Sequence, residues 1–246
     1  MHDRHVKIPD EVAARLEAAL RGESNLRPQT RQVYLELLAT RRGDGRVTVF
    51  GNQGALYRNA MTWWDHGTHS VWTQVWGKAL LGPLRGTTLE PIPASIVPWA
   101  TWKTEHPQTL ALDEDRPRYL YRERVRDDFV IGLALAGHAR GFHFAAVRRL
   151  GVLNDHVGPN PVVLYVDPKT RSISAFLRRQ GARTLTFALR EGSLIDLETG
   201  STWQPQRGIA LRGPLKGESV KPLAYVPAFR QAWRDFYPAS TWYPAP

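Results

Sequence analysis

Two spacings of apolar residues divide this chain. Val12, Leu16 and Leu20 recur every four residues and predict an amphipathic helix over residues 9–21, with Pro9 at its start. Val33, Leu37 and Leu38 share one side of a second helix over residues 28–41, stopped by Gly43. From Arg46 the pattern shifts to alternation and short apolar runs, the mark of strands, beginning with Val47-Thr48-Val49-Phe50. Residues 130–135 and 138–144 predict a hairpin turning at Ala136-Gly137, followed by a short helix to Arg149. The apolar run 161–166 predicts a buried strand, Asp167-Pro168-Lys169-Thr170 a turn, and residues 172–177 the returning strand.

Part of this pattern occurs twice. Gly82-Pro83-Leu84-Arg85-Gly86 returns as Gly213-Pro214-Leu215-Lys216-Gly217, at an offset of 131 positions. At the same offset Asp65, Thr68, Ser70, Trp72 and Gly77 meet Asp196, Thr199, Ser201, Trp203 and Gly208, and Trp102 and Pro107 meet Trp233 and Pro238. A period this long implies a duplicated unit rather than a solenoid. Each copy predicts a turn from Asp to Ser, its Asp and Thr side chains bonding local backbone, then a strand carrying a core Trp. The chain reverses at Gly-Pro-Leu-x-Gly, and a short strand and a helix bearing the second Trp follow. The strands ending at Phe50 and Phe187 are instead offset by 137, so the first copy holds six extra residues within residues 51–64. That segment contains Tyr57, Arg58 and Asn59, and a loop added to a shared scaffold is a natural place for function.

Nothing like residues 130–177 precedes residue 46, which makes the first copy incomplete. The expected fold is therefore α+β and mainly β, with two tandem pseudo-equivalent β-rich repeats, the first incomplete, behind an N-terminal helical segment. The boundaries fall at 1–42 for the helical segment, 43–112 for the partial repeat, 113–128 for a charged connector and 129–246 for the complete repeat. An incomplete repeat leaves a sheet edge or an apolar face to cover, so a homodimer or a partner chain completing it is expected.

Composition narrows the chemistry. The chain has no cysteine, which excludes disulfides, thiolate metal sites and thiol nucleophiles. No run approaches the roughly 20 apolar residues of a membrane span, and the start lacks the apolar core of a signal peptide, so a soluble, cytoplasmic protein is expected. The net charge of +10 would suit nucleic acid or an anionic surface. The arginines are nonetheless scattered, and the clusters at residues 116–126 and 178–183 read first as solvated surface.

Three groups of residues could carry chemistry. Asn154-Asp155-His156 is either a polar triplet that orients a water or metal, or an Asx-type turn before Gly158. Asp65-His66-x-x-His69 offers a carboxylate and two imidazoles for a divalent metal, although the second copy has Leu197 and Gly200 in the histidine places. His138 and Arg140 share a face of their strand, with His143 on the other, and form a possible rim; Gln74 and the Tyr57-Arg58-Asn59 loop are further candidates. No serine-hydrolase elbow, phosphate loop or dinucleotide fingerprint is present, so no organic cofactor is expected.

Phe50-Gly51-x-x-Gly54-x-Leu56-Tyr57, Asp65-x-x-Thr68-x-Ser70-x-Trp72-x-Gln74, Gly137-x-Ala139-Arg140 and Asn154-Asp155-x-Val157-Gly158, taken in this order, resemble domain of unknown function family 3179. The resemblance covers residues 46–243 and implies two tandem copies. It also implies a Cys-Pro-x-Cys strand and thiol redox chemistry in fuller members, which this chain lacks, and Tyr57-Arg58-Asn59-Ala60 stands where the family tends to read Tyr-Asn-Ser-Asp. Three functions follow as expectations. The first is a non-catalytic binding or assembly module. The second is a metal-dependent enzyme using Asn154 and Asp155 with His66 and His69, and the third is a polyanion-binding protein.

Overall fold

The computed structural model describes residues 39–41, 47–109 and 125–244. They belong to two compact units, one built on the chain up to Glu90 and the other on Pro91–Pro107 with the chain after residue 120. Both are mainly β, as the alternation predicts. The helix expected over residues 9–21 lies outside the described residues.

In the first unit, β1 (Ala39–Arg41), β2 (Val47–Tyr57), β3 (Ala60–Asp65), β4 (Val71–Thr73) and β5 (Ala79–Leu81) form an antiparallel meander in chain order. The helix expected over residues 28–41 is corrected at its end, because residues 39–41 are strand paired with Val47–Val49. Pairing satisfies backbone groups that a short helix end leaves open. Residues 51–64, where six extra residues are expected, form most of the β2–β3 hairpin. Phe50 faces Asp65 here and Phe187 faces Asp196 later in the chain, so the first pair closes a hairpin six residues longer. Its tip is a two-residue turn with positive φ at Arg58 (50°) and Asn59 (61°).

The second unit opens with α1 (Trp99–Glu105). A hairpin of β6 (Phe129–Leu135) and β7 (His138–His143) turns at Ala136-Gly137, as predicted, and α2 (Phe144–Leu150) follows. A three-stranded sheet contains β8 (Val152–Val157), β9 (Asn160–Val166) and β10 (Ile173–Leu177), with β9 in the middle. A ribbon of β11 (Arg179–Gln180) and β12 (Arg183–Thr184) leads to a meander of β13 (Phe187–Arg190), β14 (Ser193–Asp196), β15 (Thr202–Gln204) and β16 (Ile209–Arg212). Last come β17 (Val226–Phe229), α3 (Arg230–Phe236) and β18 (Thr241–Tyr243); β17 pairs with β6, and β18 runs parallel to β7. The short strands expected after the two Gly-Pro-Leu-x-Gly turns are reduced to single bridges such as Lys78 with Thr88 and Ile209 with Ser219.

The run 161–166 is apolar throughout because β9 is covered on both faces. Val162, Leu164 and Val166 join a core with Ile131, Phe142 and Phe144, while Val163 joins Phe176, Phe187 and Trp203. Trp233 of α3 is fully buried over β6, where a Cβ on Gly132 would lie 2.1 Å from its ring. Only glycine permits that approach.

The Asp-to-Ser turns owe their residue types to a hydrogen-bond chain. Asp65 is fully buried, and its Oδ1 accepts the Thr68 N–H at 2.6 Å while Oδ2 accepts the Trp72 indole N–H at 2.9 Å. Thr68 Oγ1 donates to Oδ2 at 2.8 Å and lies 2.7 Å from Ser70 Oγ, which accepts the Leu84 N–H at 3.1 Å. A carboxylate only accepts, so the direction is forced: Leu84 gives to Ser70, Ser70 to Thr68, and Thr68 to Asp65. The same relay runs from Leu215 to Ser201 (3.0 Å), on to Thr199 (2.7 Å) and then to Asp196 (2.9 Å), with Trp203 donating at 2.8 Å. The closing glycine is needed sterically as well, since a Cβ on Gly82 or Gly213 would sit 2.7 Å from the Ser70 or Ser201 Cα, at φ of 87° or 92°.

Candidate functional site

The sequence candidates of the first unit fall into two patches. Asp65 is committed to its turn. Burial alone would raise its pKa, but the donors from Trp72, Thr68 and Ser70 outweigh it and hold the carboxyl below the usual range. His66 stacks on Trp64 with ring centroids 4.2 Å apart, and His69 meets the same indole edge-on at 5.6 Å. Burial, then the neighbouring His69, lower the His66 pKa against the pull of Asp65. At the hairpin tip the Arg58 guanidinium lies 5.4 Å from the Tyr57 ring and 5.3 Å from the Trp76 ring, Asn59 completes the turn, and Gln74 is exposed. Among the described residues no three side chains of His, Asp, Glu or Cys gather in a way that could hold a metal ion.

In the second unit, Asn154 and Asp155 are neighbours on β8 and serve opposite faces. The Asn154 amide clasps the backbone of β13, donating to the Phe187 carbonyl at 2.7 Å and accepting its N–H at 2.8 Å. Asp155 Oδ2 accepts from Arg140 Nε and Nη2, each at 3.0 Å, and Oδ1 accepts the His156 N–H at 2.7 Å. Arg140 extends the line, its Nη1 donating to Thr241 Oγ1 at 3.1 Å. The structure thus joins Asp155 to Arg140, not to Asn154.

This line ends at a cleft of about 490 Å³. Its walls are the β6–β7 turn with Gly137, His138 and Ala139, the β8–β9 turn at Gly158, and residues 236–241 after α3. The His138 imidazole packs against Gly158, where a Cβ would come within 2.3 Å of the ring. On the opposite wall the Ser240 hydroxyl oxygen is buried and no protein group pairs with it. Buried hydroxyls are normally satisfied, so this one marks a place with unspent hydrogen-bonding capacity. A second cleft of about 370 Å³, lined by Ser95, Phe176, Gln206, Arg207 and Pro222, has no such buried, unpaired group.

Sequence reasoning missed Ser240 and Thr241, because they become neighbours of His138 and Arg140 only through the parallel pairing of β18 with β7. It also misplaced Arg178, read as part of a solvated cluster. Arg178 is 7% exposed and donates to the carbonyls of Val162 at 3.0 Å and Leu185 at 2.8 Å, and its burial lowers the guanidinium pKa.

Some residues of two of the sequence motifs meet here: Gly137, Ala139 and Gly158 line the cleft, and Arg140 and Asp155 are paired beside it. A family model described as a protein of unknown function (DUF3179) matches residues 33–120 and 122–240. The chain belongs to this family. No curated protein and no solved structure matches this DUF3179 chain. No described helix is long and apolar enough to cross a membrane.

Proposed function

We propose that this DUF3179 protein is a non-catalytic binding module whose ligand enters the cleft between the β6–β7 turn and residues 236–241. The observation that carries this reading is the cleft of about 490 Å³ whose walls bring the motif residues Gly137, Ala139 and Gly158 together with His138 and Thr241. Asp155 and Arg140 act as a brace, because their charges are spent on one another and on Thr241. With no cysteine in the chain, thiol chemistry plays no part. The metal-dependent reading draws no support from Asn154, whose amide is engaged at both ends. The tandem copies supply the scaffold, two Asp-to-Ser relays anchoring two meanders.

A fluorinated-fragment screen by NMR tests the reading. Fragments bind the parent protein, and Ala239→Trp, which plants a ring from an exposed wall position, abolishes their binding without unfolding the protein. Fragments that bind parent and variant equally overturn it.

A further inference from the structure

We infer that the tip of the β2–β3 hairpin docks on an anionic lipid surface, with Leu56 and Met61 entering the acyl boundary and Arg58 meeting the phosphates. The inference concerns the first unit and is independent of the cleft reading.

The tip holds apolar side chains in water by construction. β1 pairs with β2 only at Val47–Val49 and β4 with β3 only at Thr62–Trp64, so among the described residues no further strand flanks residues 55–61. Leu56 and Met61 face each other across the hairpin, one pair before Tyr57 with Ala60 and the Arg58-Asn59 turn. They share a face and are 71% and 36% exposed. Single exposed apolar residues are ordinary, but a directly opposed pair at an unflanked hairpin end forms a patch. The bulge between Asn52 and Leu56 is pinned: Thr62 Oγ1 lies 2.9 Å from Gln53 Oε1 and 2.8 Å from the Ala55 carbonyl oxygen, and the Ala55 N–H donates to Gln53 Oε1 at 3.1 Å. A bulge re-aims the side chain beside it, and this one fixes Leu56 in its exposed place.

Charge selects the kind of surface. Residues 45–64 contain no Asp or Glu, and the carboxylate at the base of the hairpin, Asp65, is fully buried. The exposed Arg58 guanidinium is held over the Tyr57 and Trp76 rings, 5.4 and 5.3 Å from their centroids. A guanidinium on aromatic rings beside an aliphatic pair matches the layers of a bilayer interface, from phosphate through the headgroup boundary to acyl carbon. The net charge of +10 draws the chain toward an anionic leaflet, and the apolar pair gives the tip its hold there. Nucleic acid would use the arginine and the rings but leave Leu56 and Met61 in water.

Flotation with vesicles of phosphatidylcholine, alone or with about one-third phosphatidylserine, tests this. The protein is expected to float with the anionic vesicles and not with the neutral ones. Leu56→Ser combined with Met61→Ser weakens binding about tenfold, and Leu56→Trp strengthens it about threefold. The double variant melts close to the parent, because both side chains are exposed. Equal binding of the double variant and the parent traces attachment to bulk charge and overturns the inference, as does equal binding to neutral and anionic vesicles. A parent that binds neither vesicle overturns it too, and self-association lost in the double variant would then make the tip a protein interface.

Discussion

Trp64, His66 and His69 surround the turn at Asp65, whereas Ile195, Leu197 and Gly200 occupy the same places around Asp196. Beneath this difference the two turns are held by the same relay, with matching donors at distances within 0.1 Å of each other from Leu through Ser and Thr to Asp. The edge-on contacts behind them agree too, Phe50 on Trp72 and Phe187 on Trp203 both at 5.5 Å. Buried donors and acceptors with forced directions leave no choice of residue type, while positions that point away from the relay are free to diverge. The first turn has become a ring-rich surface, and the second has remained plain. The helices differ as well: Trp233 is fully buried over Gly132, whereas Trp102, at the matching place in sequence, is 40% exposed.

The comparison breaks first at the carboxylates. Asp196→Ala leaves the buried Trp203 indole N–H and the part-buried Thr199 N–H without their acceptor, and a loss of about 3 kcal/mol or more is expected in urea unfolding. Asp65→Ala produces a loss of similar size in the unfolding of the first unit, because the same donors are orphaned. Unequal losses from the two substitutions show that the relays are not equivalent. Smaller, at about 2 kcal/mol, is the cost of Gly82→Ala or Gly213→Ala, where a Cβ meets serine backbone at positive φ.

The smallest effect separates the two turns. His66 has a folded pKa below its ordinary value of 6.5, owing to burial and then to His69. Below about pH 6.5 the unfolded chain takes up a proton that the folded chain resists, so stability declines as pH falls from there through the folded value. His66→Leu, the residue type that follows Asp196, removes this contribution, flattening the stability profile of the first unit between about pH 7 and 5. An unchanged slope contradicts the assignment.

Much of the fold was legible because the signals were local. The relay follows from Asp-x-x-Thr-x-Ser-x-Trp spacing, the Ala136-Gly137 turn from its two residues, and β9 from an unbroken apolar run. Residues 39–41 misled because strand pairing to β2 overrides side-chain spacing in a short segment. The cleft was only half legible. His138, Arg140 and Asp155 stood out as polar residues near Gly137 and Gly158, but Ser240 and Thr241 lie about 100 positions away in sequence and meet them through β18. Arg178 resembles any surface arginine until three carbonyls surround it.

The central claim, that the ligand site is the cleft beside His138 and Ser240, is tested most directly by an amide NMR shift map with a bound fragment. Perturbations concentrated at Gly137, His138, Ala139, Gly158 and residues 237–241 are expected. Perturbations centred instead on Gln206, Arg207 and Ser219 of the other cleft, or on Trp64 and His66, contradict it.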